Sequence, residues 1–148
     1  QSSTLRAAAD LVSRGATTDA IARRAFGGYK PEVLKAWSTA LENLTFDVKN
    51  KILYGVFPPG DETVKKIPAS SFSGLIDMLN AVPEAVVSML LRQEGDRVKG
   101  TMRSDAHKGG DVSKIARTFG GGGHTLASGF AVEGELVQGE DGTWQVQK

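Results

Sequence analysis

Cysteine is absent from this chain of 148 residues, which excludes disulfides and thiolate metal sites. Only two histidines occur, His107 and His124, too few for a histidine-rich metal cluster. Net charge is +1, so no global basic excess argues for bulk nucleic-acid binding, and electrostatic recognition must come from a local patch. No apolar run reaches the roughly 18–20 residues of a membrane span, and no signal peptide is visible. A cytoplasmic protein with no membrane partner is the expectation. What remains is ordinary: 40% hydrophobic and 24% charged residues, enough for one globular domain, or for one domain with an attached helical piece. The chain opens on Gln1 and not on Met, which suggests a processed product or an excised piece lacking an N-terminal part.

The first 45 residues carry helical periodicity. Leu5, Ala8, Ala9 and Val12 fall at i, i+3, i+4 and i+7, with Ser3 or Thr4 as cap and Gly15 at the end. A second short helix is expected from Thr18 to Ala25, with Ile21, Ala22 and Ala25 inward, Arg23 and Arg24 on a solvated face, and Gly27-Gly28 closing it. Pro31 suits the first turn of a longer helix that lines up Val33, Leu34, Trp37, Leu41 and Leu44.

From Lys51 the character changes. Ile52 to Phe57 predicts a strand, and Pro58-Pro59-Gly60 ends it. Phe72, Leu75, Ile76 and Leu79 make another helical stripe, and Ala85 to Leu91 a buried strand. A turn at Gln93 to Asp96 leads into Arg97 to Arg103. There Val98, Gly100 and Met102 point one way, and Arg97, Lys99, Thr101 and Arg103 the other. Asp111 can cap a helix carrying Val112, Ile115, Ala116 and Phe119, followed by a short strand from Gly129 to Val132. The tail around Gly139 to Gly142 has the form of a peripheral hairpin. The fold class is therefore α/β: a mixed β-sheet with flanking helices, preceded by a helical N-terminal connector. The expected domains are residues 1–45 as connector and 46–148 as the α/β domain.

Between the capped helix and the next strand lies Phe119 to Phe130, "FGGGGHTLASGF". One reading is structural: a C-cap glycine and a tight link. The other uses the missing Cβ atoms, which let backbone N–H groups converge on an anion and let a phosphate approach closely. His124 can donate to such a phosphate, and a helical turn beginning at Thr125 to Ser128 would add free N–H groups. His107 and Lys108 are expected in a solvent-facing loop, with a secondary contact to a nucleic-acid backbone left open. Arg97 and Lys99 are expected on a solvated strand face. Trp37, Tyr54 and Phe57 are expected in the core.

The stretch Asp111 to Phe130, "DVSKIARTFGGGGHTLASGF", resembles the signature of the DHH-associated domain of DHH-family phosphoesterases. The nearest subgroup is the nanoRNase or oligoribonuclease type, with relatives that hydrolyse phosphoadenosine phosphate and others named exopolyphosphatase-like. The resemblance extends through Met102 to Ser113 and, more weakly, to Ser3 to Ala16. It implies that Gly120, Gly121, Gly122, Gly123, His124 and Arg103 hold nucleotide substrate. Ser104, beside Arg103, is also placed within reach of a phosphate. The family has Ala-Ala-Gly where Ala127-Ser128-Gly129 stands, a small-for-small change.

The resemblance also implies a pair of divalent ions, manganese or magnesium, in an N-terminal DHH domain bearing an Asp-His-His triplet. No such triplet occurs here, and the nine aspartates include no pair at i, i+2. No cofactor is therefore expected in this chain, and it should be inert alone. The expected function is to hold substrate for a metal-dependent phosphoesterase acting on short single-stranded RNA or phosphorylated nucleotides. The missing DHH domain is the expected partner, and a homodimer through the full-length protein is compatible with this. A nucleotide-binding module without hydrolytic activity and a cyclic-dinucleotide phosphodiesterase domain are the alternatives.

Overall fold

The computed structural model describes residues 2–20 and 27–148. The chain divides into two compact units, Gln1–Pro31 and Glu32–Lys148. In the first, α1 spans Ser2–Ser13, so Ser3 and Thr4 lie within its first turn and not at its cap. It closes as expected at Gly15, where the Gly15 and Ala16 N–H groups donate to the carbonyls of Val12 and Leu11. Leu5 and Val12 of its apolar stripe are exposed. Residues 18–20 are helical. The remainder of the expected second helix, with Ile21, Ala22, Arg23, Arg24 and Ala25, lies outside the described residues.

The second unit is built on one mixed sheet. Its elements are α2 (Pro31–Glu42), β1 (Thr45–Asp47), β2 (Ile52–Phe57), α3 (Glu62–Lys65), α4 (Ser70–Asn80), β3 (Val87–Glu94) and β4 (Arg97–Arg103). A 3-10 turn (Ala106–Lys108), α5 (Val112–Thr118), β5 (Gly122–His124), β6 (Ala127–Glu133), β7 (Glu135–Gln138) and β8 (Trp144–Gln147) follow. The strand order is β1-β2-β3-β4-β6-β5, with β7 and β8 forming a separate hairpin. Only β2 and β3 run parallel, joined by the crossover that contains α3 and α4; the other pairs in the sheet are antiparallel. The expected strands and the tail hairpin are present, and the sheet adds two short strands the sequence did not signal, β1 and β5, the latter within the glycine stretch.

Strand alternation splits the core in two. On one face Leu53, Phe57 and Leu90 pack against α2 and α4, with Phe72, Leu75, Ile76 and Leu79 buried as their spacing predicts. On the other, Val98, Met102 and Phe130 pack against Val112 and Ala116 of α5. The helices thus cover opposite faces at opposite ends of the sheet. Among the described residues of this unit, no helix packs on the first face over β6 and β5.

The α2 helix is turned away from the expected orientation. Its buried residues are Val33, Ala36, Trp37 and Ala40, while Leu34, Leu41 and Leu44 are exposed. The reason is distance. A Cβ at Gly55 of β2 would lie 3.1 Å from the Ala40 carbonyl oxygen, so helix backbone and strand are nearly in contact. Alanines fit that gap and leucines do not. Trp37 anchors the helix by donating its indole N–H to the Ser71 carbonyl at 3.2 Å. Ala36→Val should therefore lower stability by about 1–3 kcal/mol through overpacking. Leu34→Gln should stay within about 0.5 kcal/mol. Urea unfolding of both variants checks this.

Candidate anion-binding face

The helix entering the glycine stretch is capped from sequence. The Asp111 carboxylate accepts from the Ser113 and Lys114 N–H groups and from the Ser113 hydroxyl, the last at 2.6 Å. That hydroxyl bond is the main cause holding the Asp111 carboxyl below its ordinary 3.8. The first helical N–H, that of Val112, goes to the Thr125 carbonyl at 2.9 Å. The amino end of α5 is thus occupied by protein acceptors.

The four glycines do four different things. Gly120, at φ +72°, is the residue just past the helix end. Its N–H donates to Arg117 O at 3.1 Å, and that of Gly121 donates to Ala116 O at 2.8 Å, which closes the helix in a Schellman motif. Gly121 lies against β6, where a Cβ would overlap the Gly129 carbonyl and sit 2.7 Å from Phe130 Cα. Gly123, at φ +141°, has the same problem with Ala127 O and Ser128 Cα, each 2.7 Å away. Gly122 alone meets nothing within 4 Å and needs no unusual backbone. The fold explains three of the glycines and leaves the bareness of Gly122 to another cause.

The helical turn expected at Thr125 to Ser128 is not formed. His124 pairs with Ala127, so Thr125 and Leu126 make a tight β5–β6 hairpin. Its carbonyls are tied down by the N–H groups of Val112 and Ser104. The Ser128 hydroxyl donates to the His124 carbonyl at 2.7 Å and braces the same hairpin.

Cross-strand register then assembles the site. Arg103 pairs with Ala127, and Ala127 with His124. The three side chains therefore share one row and one face, with Arg103 and His124 two strand spacings apart, roughly 9–10 Å between Cα atoms. The next row is Thr101, Gly129 and Gly122. Arg103 and His124 thus flank a floor of Ala127, Gly129 and Gly122, on the face α5 does not cover. His124 and Gly122 are exposed and Arg103 is half-buried. Arg103 Nη1 donates to the Met102 carbonyl at 3.1 Å, and its Nε lies 3.6 Å from Asp77 Oδ1 of α4.

The other candidates fall elsewhere. Ser104 is buried, donates its hydroxyl to Val86 O at 2.7 Å, and serves the framework. Lys108 does not face solvent as the sequence suggests: its ammonium binds the Asn80 and Val82 carbonyls at 2.6 and 2.9 Å, closing α4. His107 is exposed. Along the same strand face, Lys99 pairs with Glu94, whose carboxyl it lowers by hydrogen bonding. Arg97 donates to Ala131 O at 3.0 Å opposite Glu133. An apolar groove of about 820 Å³ opens on the opposite face between Met89, Ile115, Phe119 and Val146. Its lining is mostly apolar, with Arg97, Glu133 and Lys148 the charged members, so the open face is the better place for an anion. Among the described residues no group of three or more His, Asp or Glu side chains stands where it could hold a metal ion. Sequence patterns gave no sign of Asp77, which lies 26 residues before Arg103 on an exposed helix face.

A mixed sheet with helices on both faces and a glycine-rich edge defines the class: an α/β domain. The chain belongs to the DHHA1 domain family, whose profile matches residues 50–140. Its fold is similar to that of an exopolyphosphatase-related protein from Bacteroides fragilis, at a TM-score of 0.68 and 20% identity over 88% of this chain. It is also similar to the pGpG-specific phosphodiesterase PggH from Vibrio cholerae, at a TM-score of 0.53 and 11% identity over 79% of this chain. This chain spans 38% of the length of each. No curated protein sequence matches it.

Two measurements follow from the site's construction. Gly121→Ala and Gly123→Ala should each destabilise by about 1–3 kcal/mol or more, from forced displacement of β6. Gly122→Ala should leave stability unchanged or raise it by about 0.5–1 kcal/mol, because only unfolded-chain entropy is removed. Thermal melts of the three variants separate them. The Asp111 cap should contribute fully above pH 3.8 and fade as pH falls below it, since its folded-state value is depressed. Asp111→Asn should keep the helix and flatten that acid-side slope in pH-dependent unfolding.

Proposed function

We propose that this chain is the substrate-holding domain of a phosphoesterase acting on short oligoribonucleotides or phosphorylated nucleotides. The observation that carries the reading is the row Arg103–Ala127–His124 beside a floor where Gly122 has no structural need to be glycine. A phosphate over Ala127 would take charge-assisted hydrogen bonds from the Arg103 guanidinium and the His124 imidazole. The bare floor would let a ribose or base lie against the backbone. Positioning is the whole contribution of these residues: they fix the phosphate and restrict the orientations of the rest of the substrate.

The site is a single wall. Its second wall and the hydrolytic groups, with their manganese or magnesium ligands, would belong to a DHH domain of the same protein. The similarity in fold to an exopolyphosphatase-related protein and to a pGpG-specific phosphodiesterase supports a phosphate-bearing substrate, and the second of them a phosphoester. Cyclic dinucleotides are the nearest competing substrate class.

Titration of the chain with a diribonucleotide, a mononucleotide and a cyclic dinucleotide, followed by NMR, tests the reading. Shifts should concentrate at Gly122, His124, Ala127 and Gly129. Arg103→Ala should weaken binding about tenfold or more, in line with a lost charge-assisted hydrogen bond. Shifts confined to the apolar groove would overturn the assignment. Hydrolysis assays of the full-length protein on the same ligands separate an enzyme from a binding module.

A further inference from the structure

We propose that the free edge of β5 reads the base of the nucleotide whose phosphate Arg103 and His124 hold, by pairing the Gly123 N–H and C=O with the Watson–Crick edge of that base. The inference rests on the reading of Arg103 and His124 as a phosphate site. The β5 strand ends the sheet, and all three of its residues are exposed. His124 and Ala127 close a two-residue turn, so they form a hydrogen-bonded pair. Such pairs alternate along an antiparallel ladder, so Gly122 is bonded to Gly129 while Gly123 is not bonded to Ser128. The Gly123 N–H and C=O therefore point out of the sheet, side by side. Further along, β6 outruns β5, and there the Ala131 carbonyl receives the Arg97 guanidinium at 3.0 Å. Among the described residues no side chain does the same for Gly123.

An outward donor and acceptor on one residue match the edge of an unpaired base. Adenine offers its N6–H to the carbonyl and its N1 to the N–H, and uracil offers N3–H and O4 in the same way. A polypeptide strand is the poorer occupant, since β5 has three residues and turns only one of them outward. The spacing suits a single nucleotide. A base on this edge lies roughly 8 Å from β6, one strand spacing and one hydrogen bond away. The phosphate sits over Ala127 of β6, in the row of His124. The ribose between them must cross β5 beside His124. The next residue there on the open face is Gly122, which has empty space where a Cβ would stand. That crossing gives Gly122 a reason to be bare. Because purine and pyrimidine both satisfy the pair, the edge demands a free base and not a particular one. A base already paired in a duplex has no such edge to offer, so the site takes single strands.

The test titrates the chain, followed by NMR, with adenosine and uridine 5′-monophosphates, their N6,N6-dimethyl and 3-methyl forms, and ribose 5-phosphate. The two parent nucleotides should bind within about threefold of each other, and the methylated forms about five- to tenfold more weakly, for the loss of one or two hydrogen bonds. The Gly123 amide should shift with the two parents only, and His124 with every ligand. Gly122→Val should weaken both parent nucleotides and leave methyl phosphate unchanged. Methylated forms that bind like their parents, a stationary Gly123 amide, or undiminished nucleotide affinity in Gly122→Val would overturn the proposal. Ribose 5-phosphate that leaves His124 and Ala127 unmoved would sink the phosphate site itself, a distinct result. Circular dichroism melts confirm that the variant is folded.

Discussion

The register of the β5–β6 hairpin against β4 is the constraint on which the rest of the candidate site depends. A strand's side chains alternate between faces, so a slip of one residue would carry His124 to the face that α5 covers. The hairpin turn, Thr125-Leu126, lacks the positive φ angles of the usual two-residue hairpin turns. Its register is held from outside: Val112 N–H donates to Thr125 O, and Ser104 N–H donates to Leu126 O. One donor is the first free N–H of a helix, and the other follows the strand that carries Arg103. Helix start, hairpin turn and the end of β4 are thus tied at a single point. That knot puts Arg103 and His124 in one row.

Around it, the glycine run acts as a sequence of separate solutions and not as one flexible loop. Gly120 ends the helix, Gly121 and Gly123 let β5 lie against β6, and Phe119 stacks on Phe130 with ring centroids 4.7 Å apart. These contacts stiffen the segment. Gly122 then contributes bare backbone at an exposed edge strand. A site on a strand is placed more precisely than one on a loop, which suits residues whose proposed task is orientation.

Much of this was legible in the chain. The β2 and β4 strands, the α4 stripe, the Asp111 cap and the tail hairpin follow from periodicity and end signals, because those are local properties of the backbone. The face that α2 buries was not legible, since leucines outrank alanines by hydrophobicity, and only the close approach to Gly55 favours Ala36 and Ala40. The turn at Thr125 was misread as helical because its anchors, Val112 and Ser104, lie 13 and 21 residues earlier. Lys108 looked free because the carbonyls that hold it belong to α4. In each case the deciding partner is distant in sequence.

The sequence by itself determined the class of the fold, the family and the residues eligible to meet a phosphate: Arg103, His124 and the glycines between helix and strand. Local chemistry sufficed for these, since arginine, histidine and glycine each do something other residues cannot. Tertiary structure decided which of them share a face, that Ser104 and Lys108 serve the framework, and that Asp77 stands beside Arg103. Those outcomes depend on strand register and helix placement, which are set by contacts between segments far apart in the chain.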